Sequence, residues 1–254
     1  MSRGWCRRVA GELSRAWAIL VKDVRVYYLQ PPMIMFGLLM PFFIFFSFSV
    51  RRGMGVESSM ARLLALTTFF TASSAGPVIV PLERRERTYD RLLTAPMSIW
   101  TLLLGKALVG IAFGLVVSLV PLLAGVLVLG GRVAAPGLVA LALLLSTTAF
   151  SALGLLLASL PAQSVGSIMM PSTLLRWPLL FISGVFVPLS EMAPWTRALS
   201  YLSPLTYSQD MLYGALDGWC VQPLGLNLLA LVLTTGLFLA LAVRLHRTSR
   251  RLGY

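Results

Sequence analysis

Apolar residues gather into six long runs along the chain, at roughly 33–50, 62–82, 99–129, 134–160, 164–189 and 223–245. A helix needs about 20 apolar residues to cross the hydrocarbon of a bilayer, so each run predicts a transmembrane helix. The third and fourth runs exceed that length and are expected to tilt or protrude. The fifth is interrupted by Pro171, Arg176 and Pro178 and is expected to kink. Pro41 and Pro121 are further kink candidates, because proline removes a backbone donor from the helical ladder.

The stretch before the first run, residues 1–30, follows another pattern. Val9, Leu13, Trp17, Leu20, Val24 and the pair Tyr27/Tyr28 recur at helical spacing, with Arg8, Glu12, Arg15, Lys22, Asp23 and Arg25 on other faces. This predicts an amphipathic helix lying in the membrane interface, the alternative being an ordinary soluble amphipathic helix. Gln30-Pro31-Pro32 is expected to end it. A further departure is residues 190–222, too polar to span and too apolar for a free loop. Trp195, Tyr201, Tyr207, Tyr213 and Trp219 are interface-seeking residues. Short helices broken at Pro194 and Pro204 are expected to re-enter the outer leaflet, buried against the bundle or facing water. The fold class is therefore an all-α integral membrane protein, with an interfacial helix over 1–30 and one six-span domain over 31–254.

Composition agrees. The 254-residue chain is 57% hydrophobic and 12% charged, with a mean hydropathy of +0.84, against about 25% charged in soluble domains. The net charge of +12 sits beside the apolar runs, with no aromatic-interleaved nucleic-acid motif, so it reads as membrane orientation rather than nucleic-acid binding. The amino-terminal segment, the loop after the second run (with Lys106) and the carboxyl tail together hold fifteen basic residues. The opposite side holds five: Arg51, Arg52, Arg62, Arg132 and Arg197. Both termini are thus expected on the cytoplasmic side of the plasma membrane. Cys6 and Cys220 then lie on opposite sides and do not pair. With His246 the single histidine, a His/Cys metal site is not expected. No cleavable signal peptide is expected either, since the first apolar run begins near Met33 behind a long charged segment.

The densest charge lies in PLERRERTYDRLLTAPMS, residues 81–98. Glu83 and Arg87 are spaced i,i+4 and Arg87 and Asp90 i,i+3, which supports a short helix before Pro96. Leu82, Tyr89, Leu92 and Leu93 give it an apolar edge. From the residues alone, this is either a helix that docks in a groove on a partner or a solvated loop that obeys the positive-inside rule.

The wording of the stretch resembles the cytoplasmic loop of type-2 ABC exporter permeases, roughly E-x-E-x-G-T-L-E-x-L-L-x-T-P-x-S. Glu83, Thr88, Asp90, Leu92, Leu93, Pro96 and Ser98 match. Arg87 replaces the usual glycine, Tyr89 the usual leucine, and the second acid is shifted to Glu86. FISGVFVPLSEMAPWTRALSYLSPLTYSQDML, residues 181–212, is similar to the family's outer signature, with Ser183, Gly184, Phe186, Pro188, Met192, Trp195, Pro204, Leu205, Thr206, Tyr207 and Asp210 in register. The resemblance implies that loop 83–98, through Glu83, Glu86, Thr88, Tyr89, Asp90, Leu92, Leu93 and Pro96, is a coupling helix seated in a separate ATP-binding subunit. ATP and Mg would be held by that partner and no cofactor by this chain, which has no GxxxxGK[ST]. It also implies a dimer with itself or a paralogue, and a drug, lipid or glycolipid as cargo.

Arg176 is the sharpest single residue, since a charge inside a span is a functional-site hypothesis. It could attract an anionic substrate headgroup, pair across a dimer, or snorkel to the interface. Ser146, Thr147, Thr148 and Ser151 are candidates for hydrogen bonds between helices. Met169, Met170 and Phe181 line an adaptable apolar path or simply pack. The rival functions are an ATP-independent channel or secondary carrier, which would be expected to show intramembrane acids, and a membrane-embedded enzyme, for which no catalytic cluster is evident.

Overall fold

The computed structural model describes residues 2–27, 35–49, 55–85, 99–159, 165–187 and 189–251. Among these the regular structure is helical throughout. Helix α1 is Ser2–Tyr27, α2 Met40–Ser49, α3 Val56–Arg85, α4 Ile99–Leu127, α5 Pro136–Ala158, α6 Val165–Ile182, α7 Pro194–Ser200, α8 Pro204–Asp217 and α9 Leu224–Arg251. A π-helical turn, Met35–Leu39, precedes α2. That wider turn lies directly ahead of Pro41, whose missing amide breaks the regular ladder, a common setting for such turns.

Helices α2 to α6 and α9 fall on the six apolar runs. Among the described residues four of them, α3, α4, α5 and α9, are long and apolar enough to cross a membrane. Helix α6 has 18 residues and carries Pro171, Arg176 and Pro178 without interruption. Helix α3 begins at Val56, so Arg62, expected in an outer flank, lies inside it. Lys106, expected in the cytoplasmic loop, is likewise within α4 and only 4% exposed. Both corrections share a cause. A helix accommodates a charged residue wherever neighbouring elements satisfy its side chain, as the Val185 carbonyl does for Arg62 and Asp23 and Glu83 do for Lys106.

Helix α3 is the axis of the bundle, packed against α4, α5, α6 and α8. It is buried almost from end to end although it contains Thr67, Thr68, Thr71, Ser73 and Ser74. The hydroxyls are satisfied locally: Thr67 Oγ1 donates to the Leu63 carbonyl at 2.7 Å, and Ser74 Oγ to that of Phe70 at 2.5 Å. Such back-bonding lets a polar stripe sit inside apolar packing. Around it Phe69 meets Phe150 of α5 edge-on, ring centroids 5.1 Å apart.

Small residues allow α3 and α5 to cross closely. A Cβ on Gly76 would stand 2.6 Å from the Gly154 carbonyl oxygen, and one on Gly154 would stand 2.6 Å from that of Ser73. Backbones approach this closely only where no side chain intervenes, as in small-residue packing between membrane helices. Of the four hydroxyls proposed to bridge helices, two do so. Ser151 Oγ donates to the Ala107 carbonyl at 2.8 Å, and Ser146 Oγ accepts from Ser208 Oγ at 2.6 Å. Thr147 and Thr148 bond within their own helix. Met169 is buried, while Met170 and Phe181 are exposed.

Helices α7 and α8 start at Pro194 and Pro204, as the prolines of segment 190–222 predict, where the missing amide costs nothing. Helix α8 is largely buried against α3 and α5. It ends at Gly218, whose φ of 84° is open to glycine and strained for other residues. By contrast α4 and α9 expose large apolar side chains such as Val116, Leu123, Leu229 and Leu233. A face of that kind suits lipid rather than water.

Candidate functional site

At the carboxyl end of α3, where the polar loop begins, four charges close into a ring. Lys106 Nζ stands 2.6 Å from Asp23 Oδ2 and 2.6 Å from Glu83 Oε2. Lys22 Nζ stands 2.8 Å from Asp23 Oδ1 and also pairs with Glu83 Oε1. Each lysine thus touches both carboxylates. Asp23, Glu83 and Lys106 are buried, and Lys22 is partly exposed. Two cations and two anions leave the ring neutral, the condition under which buried charge is tolerated. Burial opposes the charge of Lys22, yet its hydrogen bonds and attraction to Asp23 and Glu83 prevail and raise its pKa.

The ring joins three elements distant in sequence: α1 through Lys22 and Asp23, α3 through Glu83, and α4 through Lys106. Loop 83–98 leaves from one of these helices and returns into another. Glu83 is therefore the packed root of the loop. Its carboxylate reaches two lysines, while Arg87, its i,i+4 neighbour, lies outside the described residues. Glu86, Thr88, Tyr89, Asp90, Leu92, Leu93 and Pro96 lie outside the described residues. So does Pro188 of the outer signature. Sequence reasoning missed the ring; the available signal was Lys106 itself, a lysine in an otherwise apolar helix, which demands a buried anionic partner.

Arg176 is 1% exposed, on the face of α6 that meets α3. Its Nη2 donates to the Ser73 carbonyl at 2.5 Å and its Nη1 to Ser74 Oγ at 3.2 Å. Four residues beyond Ser73 stands Pro77, which has no amide hydrogen to offer that carbonyl. The guanidinium supplies the missing donor. Arg176 neither snorkels nor faces a bulk aqueous surface in this chain. It fastens α6 to the interrupted stretch of α3.

The outer signature splits into two parts. Ser183 and Gly184 form the turn after α6, with Gly184 at φ 86°. Ser183 Oγ donates to the Leu180 carbonyl at 2.6 Å and accepts from the Val185 amide at 3.4 Å. Arg62 of α3 holds the same turn by donating to the Val185 carbonyl at 2.8 Å. Phe186 is buried and stacks obliquely with Phe181. Trp195 is exposed, whereas Pro204 is buried as the first residue of α8. Asp210 is the other hub. It accepts from the amides of Val221 and Gln222 at 2.8 and 3.0 Å and from Asn227 Nδ2 at 2.7 Å, tying α8 to the start of α9.

Comparison with known proteins adds to this geometry. The family model described as "ABC-2 type transporter" matches residues 14–216. The chain is 30% identical over 161 residues to the protein named "Inner membrane transport permease YadH" from Escherichia coli strain K12, and equally to those of Escherichia coli O157:H7 and Shigella flexneri. The match covers 63% of this chain and 60% of each relative's length.

Proposed function

The chain belongs to the ABC-2 type transporter family, and from that premise we propose that it is the six-span membrane subunit of an ATP-driven exporter. Its loop 83–98 docks in a separate ABC ATP-binding subunit, which holds ATP and Mg. The observation that carries the reading is the neutral ring of Lys22, Asp23, Glu83 and Lys106 at the root of that loop. A push on an unanchored loop would be dissipated in loop motion. A push on this one is delivered to α1, α3 and α4 together, because moving α3 or α4 away strips a buried charge of its partners and moving α1 away breaks the Lys22–Glu83 and Asp23–Lys106 pairs.

Two copies, or this chain with a paralogue, complete the pathway. Helix α6 leaves Met170, Leu174 and Phe181 exposed, an apolar and pliable surface suited to a second copy and to a hydrophobic or amphipathic cargo of the drug, lipid or glycolipid kind. Both termini face the cytoplasm, in keeping with the basic residues of α1 and of the carboxyl tail.

The test is co-purification with a co-expressed ABC ATP-binding subunit, comparing wild type with Asp90→Ala/Leu92→Ala. Glu83 is left intact because its loss disturbs the ring. Capture by wild type but not by the variant, with both forms inserted in the membrane, is the expected result. Failure of wild type to bind any ATP-binding subunit would overturn the reading in favour of an ATP-independent channel or carrier.

A further inference from the structure

A cavity of about 360 Å³ opens at the end of α3 opposite the charged ring, lined among others by Ser58, Arg62, Gln209, Asp210, Tyr213 and Trp219. We propose that this cavity holds the headgroup of a phosphoethanolamine lipid, with the phosphate on Arg62 and the ammonium between Gln209 and Asp210. The assignment rests on the membrane reading of the bundle and not on the ATP-binding partner.

Depth is the first ground. Arg62 and Glu83 lie on one continuous helix, 21 positions apart, which spans about 31 Å at 1.5 Å per residue. That is the thickness of the hydrocarbon core. With the ring of Glu83 at one interface, Arg62 stands at the other, where lipid phosphates lie. Trp219, at the cavity, and Trp195 and Tyr201 of the same outer segment are all exposed, as interfacial aromatics are.

Charge is the second. Among the described residues the lining carries one cation, Arg62, and one anion, Asp210, with Glu57 and Asp217 also acting on Tyr213. The carboxylate of Asp210 is fixed by three nitrogen donors. A group bearing only negative charge would gain from Arg62 and lose to Asp210. A zwitterion gains from both, and its cation can also meet the aromatic faces of Tyr213 and Trp219.

Hydrogen bonding selects the amine. Gln209 Oε1 is buried and has no hydrogen-bond partner among the described residues, while Gln209 Nε2 reaches the Gly184 carbonyl at 3.4 Å. A buried acceptor left unmet is costly. A primary ammonium offers three N–H donors to it, whereas a quaternary choline offers none.

The experiment is a titration of the delipidated full chain in detergent, read by native mass spectrometry. The probes are dihexanoyl phosphatidylethanolamine, the matching choline and glycerol lipids, and soluble glycerophosphoethanolamine. One ethanolamine lipid per chain is expected, with the choline and glycerol lipids about tenfold weaker or more. Arg62→Gln keeps a donor for the Val185 carbonyl but removes the charge, and Gln209→Leu removes the acceptor; each should weaken the ethanolamine lipid by a similar factor. If either variant fails to fold, Ser58→Phe fills the cavity and should abolish binding. Equal binding of all three lipids, or ethanolamine-lipid binding unchanged in the folded variants, overturns the proposal. Equal affinity for glycerophosphoethanolamine overturns its assignment to a lipid. None of these outcomes bears on capture of an ATP-binding subunit.

Discussion

The guanidinium of Arg176 donates to the Ser73 carbonyl, the acceptor that Pro77 leaves without an amide four residues on. A charge that looks like a binding device in the sequence is, in the folded chain, the repair of a broken helical ladder. The same carbonyl oxygen lies under Gly154 of α5, so α3, α5 and α6 are joined at one point.

This repair can be tested by a double-mutant cycle. Arg176→Met leaves the Ser73 carbonyl unmet and should cost about 1–3 kcal/mol of stability in detergent. Pro77→Ala restores an amide, so in that background Arg176→Met should cost clearly less. Thermal unfolding of the four proteins decides it. Equal costs in both backgrounds would separate Arg176 from Pro77 and return it to the list of cargo-binding groups.

The charged ring should respond strongly to the loss of one member. Lys106→Met takes from two buried carboxylates a cation they share and should cost about 3–5 kcal/mol, or prevent accumulation of the protein. Lys106→Met/Glu83→Met, which restores one cation to one anion, should recover part of the loss. Yield of monodisperse protein by size exclusion measures both.

The pH dependence follows from Lys22, whose pKa is raised above its ordinary 10.5. A raised folded-state pKa means that its contribution is full below the unfolded value and is lost as pH rises through the folded one. Stability from this pair should therefore be level from pH 7 to about 10 and fall above 10.5. Unfolding temperatures of wild type against Lys22→Met should converge in that alkaline range. A gap that persists unchanged through it would mean that Lys22 acts by packing alone.

The crossing of α3 and α5 should reject a single added carbon. Gly154→Ala places a Cβ against backbone, which cannot rotate away, and should destabilise by about 1–3 kcal/mol. Gly137→Ala, where nothing lies within 4 Å of the new carbon, is the control and should be near neutral. Their unfolding temperatures provide the comparison.

Topology and the α8–α9 clasp can be read together at Cys220. Burial first, then the charge of Asp210, raises its thiol pKa, so it should react slowly with an impermeant maleimide added to intact cells. Asp210→Asn removes the nearby charge and loosens the loop held through Val221 and Gln222, and should speed that labelling several-fold. Cys6 should label only after the membrane is opened. Labelling of Cys220 from the cytoplasmic face would invert the proposed orientation.

The helices of the apolar runs, the break at the prolines of the outer segment and the family resemblance were all legible in the chain, because each depends on local properties. Apolar length fixes what can span, proline fixes where a ladder starts or fails, and basic flanks bias orientation. The amphipathic spacing of residues 1–30 likewise specified α1 without reference to any neighbour.

What only the tertiary structure decided is which polar groups meet. Lys22, Asp23, Glu83 and Lys106 come from three helices, and nothing in the spacing of Glu83 announces that its carboxylate meets Lys22 and Lys106. Arg176 and Pro77 lie 99 positions apart, yet each explains the other's tolerance inside the bundle. The reason is physical. In a low-dielectric interior a charge or an unmet carbonyl takes its partner from whichever element packs beside it, and packing is a property of the assembled helices, not of any one of them.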